Sequence, residues 1–198
     1  MDPKETAVIF IEFQNDFCSE GGKLFGLVRE EIERNRTIAN ARRLLEGVRE
    51  KGCLIIHCPF VLNSQWARAI RADGILASIL ENDIFARDSW GHEIIDALRP
   101  LEGEIVLGDK RALSAFSWTG LDEILQSKNV RNVVVCGFLT NICAQATALS
   151  AYDRGYRVRM AFDACGAASE EIQSFCVTNV APILGGPTTT DAILASIS

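Results

Sequence analysis

The sequence predicts a doubly wound α/β fold built on a mostly parallel sheet. Three observations lead there. Short β-rich runs alternate with longer amphipathic segments, the runs are apolar on both faces, and the chain is long enough for one full core. Strands apolar on both faces need helices above and below, which is the pattern of a parallel sheet rather than a half-exposed antiparallel one. At 198 residues a chain hides about 70% of its extended surface on folding, so a single domain over 1–198 is expected and no disulfide staple is needed.

The strand candidates in order are AVIFIEF (7–13), CLIIHC (53–58), EIVLG (104–108), RNVVVCG (131–137) and YRVRMAF (156–162). From Glu30 to Lys51, Ile32, Ile38, Leu44, Leu45 and Val48 share one helical face, and Gly52 stops the helix. A second helix is predicted from about Thr119, where T-G-L-D-E offers a capping hydroxyl and acids in the first turn, to Lys128. A third runs from about Asn141 to Arg154 and is closed by Gly155, and a fourth starts at the cap Ser169 and reaches Thr178. Residues 60–100, with Trp66 and Trp90, read as a crossover able to form a lid or a subunit contact. The C-terminal GGPTTTDAILASI reads as a loop and a short helix.

Twenty-six acidic residues against twenty basic ones give a net charge of −6, and no basic patch stands out. Such a surface repels phosphate, which argues against nucleic acid and anionic membrane as partners. No apolar run approaches the ~20 residues of a membrane span. Seven cysteines, an odd number with no C-x-x-C pair, and a start without a basic leader point to a reduced, cytoplasmic setting.

Ligands of open parallel sheets bind beyond the carboxyl ends of the strands, where loops diverge and helix amides point inward. The first candidate strand is followed by Gln14, Asn15, Asp16 and Phe17, and the second by Pro59 and Phe60. Asp109, Lys110 and Arg111 follow the third, and Thr140 to Cys143 the fourth. An acid, a lysine and a cysteine therefore converge. Cys143 falls where a helix begins, a position that favours a thiolate, and a neighbouring ammonium lowers a thiol pKa further. An aspartate in reach could accept the thiol proton, as in covalent acyl transfer. Position alone equally allows Asp16 and Lys110 to be an ion pair beside a packing cysteine, and the other six cysteines read as inert small hydrophobes.

Three ordered motifs decide between these. F-Q-N-D-F at 13–17, G-D-K-R at 108–111 with A-F at 115–116, and G-F-L-T-N-I-C at 137–143 with A-x-x-x-G at 151–155 cover nearly the whole chain. Together they resemble the isochorismatase-like cysteine hydrolase superfamily, in its amidohydrolase branch with the biuret and streptothricin hydrolases. The resemblance implies a three-layer αβα sandwich with a Rossmann-like strand order 3-2-1-4-5-6. It also implies a triad of Asp16 as proton acceptor, Lys110 as orienting cation and Cys143 as nucleophile, and a non-proline cis peptide between Leu139 and Thr140. An oxyanion hole made by the Thr140 and Cys143 amides follows from the same likeness. The implied activity is hydrolysis of a small amide, ureide or carbamoyl C–N bond through a thioester, and family members are homo-oligomers, dimers or tetramers.

Nicotinamidases, which resemble this chain, hold a metal with an Asp-x-His pair and a further histidine. Here only His57 and His92 occur, neither in such a pair, so no metal and no other cofactor is expected. His57 reads as a strand-end residue bonded to backbone. Phe17, Phe60, Phe116, Trp118 and Leu139 are the candidate pocket walls, with Arg111 and Gln14 as candidate binders of a substrate carbonyl or carboxylate. Rival readings are a non-catalytic or regulatory homologue binding a small metabolite, and a vinyl-ether hydrolase using Asp16 alone.

Overall fold

The computed structural model describes residues 1–61, 72–108 and 110–198. At its centre lies a five-stranded parallel sheet of β1 (Thr6–Ile11), β2 (Leu54–Cys58), β3 (Ile105–Val106), β4 (Asn132–Phe138) and β5 (Arg157–Gly166), in the order 3-2-1-4-5. β1 and β4 are buried along their whole length, as central strands covered on both faces must be. The order reverses between β1 and β4. Right-handed crossovers leaving in opposite directions put their helices on opposite faces, and the loops part at the carboxyl ends of β1 and β4.

The sheet has five strands where six were expected. The place of the sixth is taken by the loop before the last helix, which makes one parallel bridge, Thr188 beside Ala161. Gly185 and Gly186 have positive φ and Pro187 has no amide to donate, so extended pairing is not sustained there.

The long helix expected over 30–51 is two: α2 (Phe25–Asn35) and α3 (Thr37–Lys51), separated by Arg36 at φ 53°. A short α1 (Asn15–Cys18) precedes them. Residues 72–100 contain one α-helix, α4 (Gly74–Glu81), capped by Asp73; Trp66 lies outside the described residues. α5 (Leu121–Ser127) starts from Gly120 in the left-handed conformation, and the Thr119 hydroxyl accepts the Leu121 amide at 3.3 Å while donating to the Ala115 carbonyl. The helix expected from Asn141 opens instead with one π-helical turn (Thr140–Ala144), and α6 (Gln145–Asp153) continues it. Ser169 caps α7 (Glu170–Phe175) by accepting from the Ile172 amide at 3.3 Å, and α8 (Thr190–Ser196) ends the chain. All seven cysteines are free thiols. Among the described residues no helix is long and apolar enough to cross a membrane.

Candidate active site

β1 is buried throughout and apolar from Ala7 to Ile11, and the residue that follows it is Glu12. Its amide donates to the Cys58 carbonyl at 3.0 Å, and its backbone sits at φ 55°, a left-handed conformation uncommon for a side chain of this size. Such backbone persists where surrounding contacts over-determine it, and it clusters at functional sites. Glu12 is 2% exposed, and its side chain forms an ion pair with Lys110, which is fully buried.

Lys110 is held from several sides. Its backbone bridges Phe60 beyond β2, its ammonium donates to Glu12 and to the Ala112 carbonyl at 2.7 Å, and the charge lies 4.8 Å from the centre of the Phe60 ring. Burial alone would push the lysine pKa down. The Glu12 carboxylate outweighs this, with the Cys143 and Cys58 sulfurs adding to it, and lifts the ammonium above the ordinary lysine value.

Cys143 belongs to the π-helical turn at the end of β4 and is 6% exposed. Gly137 makes the approach of that strand possible: at φ 123° its α-carbon lies so close to β1 that a Cβ would stand 2.0 Å from the Ile11 carbonyl oxygen. The peptide bond between Phe138 and Leu139 is cis, one bond earlier than the Leu139–Thr140 position expected. The Leu139 carbonyl accepts the amides of Ile142 at 3.0 Å and Ala144 at 3.2 Å, which fixes the turn on both sides of Cys143. The Thr140 hydroxyl points away, toward Gln173 at 2.6 Å.

The thiol is not the low-pKa group expected from a helix start. Burial pushes it up, the Glu12 carboxylate pushes it further by charge and hydrogen bonding, and Lys110 only partly opposes them. Burial and the neighbouring acid thus disfavour the thiolate at rest.

The carboxylate at Lys110 is Glu12 and not Asp16. Asp16 lies in α1, and its oxygens accept the backbone amides of Lys23 at 3.1 Å and Phe85 at 2.7 Å. It ties α1 to the loop entering α2 and to the segment after α4. Gly91 packs against it so closely that a Cβ there would come within 2.4–2.5 Å of the carboxylate atoms.

Glu12 and Cys143 face a pocket of about 60 Å³. Of the expected walls, Phe17, Phe60 and Leu139 line it. Phe116, Trp118 and Arg111 do not: Phe116 packs on Tyr156 and under Arg154, and Arg111 lies 5.8 Å from the Trp118 ring, which is 64% exposed. Walls missed in the sequence come from Leu24 just before α2 and Leu27 within it, from α4 (Ile75, Ser78, Ile79) and the segment after it (Ile84, Phe85), with Leu113 and Ile142. The Gln14 amide, expected to meet substrate, is engaged by the chain itself. It donates to the Phe60 and His92 carbonyls at 2.9 and 2.8 Å and accepts the Phe60 amide at 2.7 Å. His57 bonds a side chain rather than backbone, reaching Glu104 at 2.7 Å. Asp109 lies outside the described residues.

The family model described as "Isochorismatase domain" matches residues 6–192. The chain belongs to the isochorismatase family. Among relatives of this isochorismatase-family chain, a ureidoacrylate amidohydrolase RutB from Rhizobium rhizogenes is 26% identical over the whole chain and 85% of the relative's length. A solved cysteine hydrolase from Pseudomonas syringae superposes with a TM-score of 0.86 at 26% identity, covering 98% of this chain and 93% of the other. The N-carbamoylsarcosine amidase of Thermoplasma acidophilum superposes with a TM-score of 0.72 at 25% identity, covering 94% and 97%.

Proposed function

We propose that the protein is a hydrolase of small amide or ureide C–N bonds that works through a cysteine thioester, with Cys143 as nucleophile, Glu12 as general acid and base, and Lys110 as the positioning cation. The observation that carries this reading is the buried contact set of Glu12, Lys110 and Cys143, of which Glu12 and Cys143 line one pocket. The family membership supports it, as do relatives named as amidohydrolase and amidase.

The elevated thiol pKa makes proton removal part of the attack. As the carbonyl carbon reaches sulfur, the S–H proton passes to Glu12 while the S–C bond forms, which is general-base catalysis. The carbonyl oxygen takes the negative charge and is stabilised by the backbone amides of Thr140 and Cys143. Glu12 then protonates the nitrogen, ammonia or an amine leaves, and an acyl thioester remains. Water attacks the thioester after giving a proton to Glu12, the acid departs, and that proton returns to sulfur. Lys110 holds the Glu12 carboxylate in place throughout. Asp16 is a structural acid in this scheme.

The test is ammonia release over a panel of primary amides and ureides, combined with intact-mass detection of an acyl adduct after acid quench. The reading requires an adduct on Cys143 and loss of turnover in Cys143→Ser and Glu12→Gln. Turnover surviving Cys143→Ala, or surviving Glu12→Gln while Asp16→Asn is dead with its fold intact, overturns it.

A further inference from the structure

The pocket walls say something about the substrate that the reacting groups do not. Besides Glu12 and Cys143, the only polar side chain among the described lining residues is Ser78. None is cationic. The nearest ammonium, Lys110, donates to Glu12 and the Ala112 carbonyl and faces the Phe60 ring, so its charge is matched within the site. Among the described lining residues a substrate carboxylate would find no counter-charge and would lie close to Glu12, an arrangement that folded proteins avoid.

The geometry of the reaction fixes which half of the substrate meets these walls. The departing nitrogen takes its proton from Glu12, which leaves the acyl substituent to meet the rest of the lining. In that lining α4 presents Ile75 and Ile79, and Phe17 and Phe85 pack on one another with ring centres 5.3 Å apart. At the rim, Leu27 and Ile75 are 47% and 42% exposed, two large apolar side chains left at one opening. Isolated exposed hydrophobics are ordinary, but a pair at the mouth of an apolar pocket matches an apolar entrant. A volume of about 60 Å³ has room for on the order of four to six water-sized groups.

We infer that the substrate's acyl group is a short, uncharged hydrocarbon chain held between α4 and the Phe17–Phe85 pair, and that the site discriminates against acyl groups carrying a carboxylate. This rests on the hydrolase reading above but is separable from it by experiment. Two probes of equal length differ only in their end: butyramide, and succinamate, where a carboxylate replaces the terminal methyl. The kcat/KM for butyramide should exceed that for succinamate by at least about a hundredfold. Ile79→Arg, which places a cation in the α4 wall, should narrow the ratio by at least tenfold. Equal or better use of succinamate by the wild-type protein overturns the inference and leaves the hydrolase reading standing.

A binding measurement keeps the question open to test without turnover. Butyraldehyde and succinic semialdehyde both add reversibly to a thiol: sulfur bonds to the carbonyl carbon, and the thiol proton ends on the new hydroxyl. Their protection of Cys143 from iodoacetamide is read by peptide mapping. Butyraldehyde should protect at a concentration at least tenfold lower, and equal protection by the two overturns the inference. Protection by butyraldehyde with no ammonia from any amide sinks the hydrolase reading alone.

Discussion

Glu12 and Asp16 stand four residues apart just past the first strand, at 2% and 3% exposure, yet their surroundings differ in kind. Glu12 faces an ammonium and a thiol across the sheet, contributed by loops about 100 and 130 residues away in sequence. Asp16 faces two backbone amides, one from Lys23 in the loop entering α2 and one from Phe85 after α4. A carboxylate matched by a mobile proton source and a cation can exchange protons with a substrate. One that accepts fixed amides is a brace, since those donors keep their hydrogens. The contrast teaches that burial of an acid near a crevice does not identify its role, whereas the chemistry of its partners does.

The largest effects should separate the two acids. Cys143→Ser is expected to lower kcat by at least about 10³-fold, and Glu12→Gln by about 10² to 10⁴-fold, the range of positioned proton transfer. Lys110→Met should do as much and also destabilise, because it strands Glu12 as an unpaired buried charge, at a cost of about 3–5 kcal/mol. Combining Glu12→Gln with Lys110→Met removes both charges. Denaturant unfolding should then recover most of the lost stability while activity stays absent. A double variant no more stable than Lys110→Met alone would mean that the pair is not the unit described here.

Much of this was legible in the sequence, and the gaps have physical causes. Central strands buried on both faces leave apolar runs, so five strands and their parallel arrangement could be read directly. Lys110 and Cys143 sit in distinctive motifs beyond strands, and Phe17, Phe60 and Leu139 follow strand ends whose direction the sheet dictates. Glu12 was read as the tail of an apolar strand. Its one signal was an acid closing an otherwise uncharged run, and the left-handed backbone that turns it into the crevice has no mark in residue type. Arg111, Phe116 and Trp118 follow β3 but do not line the pocket, and Phe116 packs instead on Tyr156, just before β5. The walls from α2 and α4 reach the pocket by tertiary packing between segments remote from the motifs, which local pattern does not encode.

Intermediate effects should come from the Asp16 brace. Asp16→Asn keeps one acceptor oxygen for two amides and loses the charge, so a stability loss of about 1–3 kcal/mol is expected, with kcat changed only a few-fold in protein that remains folded. Gly91→Ala probes the same contact from outside. Its Cβ must displace the carboxylate, at about 1–3 kcal/mol. If both variants instead abolish turnover at full stability, Asp16 exchanges the protons and the assignment of the two acids is reversed.

The smallest effect concerns a third acid, which sharpens the contrast because it is paired yet distant in role. Glu104 accepts from Arg49 at 2.6 and 3.0 Å and meets His57 at 2.7 Å beside the β2–β3 pairing. Burial alone would raise its pKa, but the Arg49 and His57 hydrogen bonds outweigh it and hold the carboxyl down at about 2. A depressed acid pKa stabilises the fold only where the unfolded carboxyl is ionised, so this contribution is complete above about pH 4.5 and is lost as pH falls toward 2. Burial also pushes the His57 imidazole down against the pull of Glu104, so folding disfavours its protonated form and stability declines below about pH 6.5 as well. Thermal melts across this range should show the wild-type protein losing more stability between pH 4.5 and 2 than Glu104→Gln does. Parallel curves for the two would show that Glu104, like an exposed acid, contributes no acid-sensitive stability.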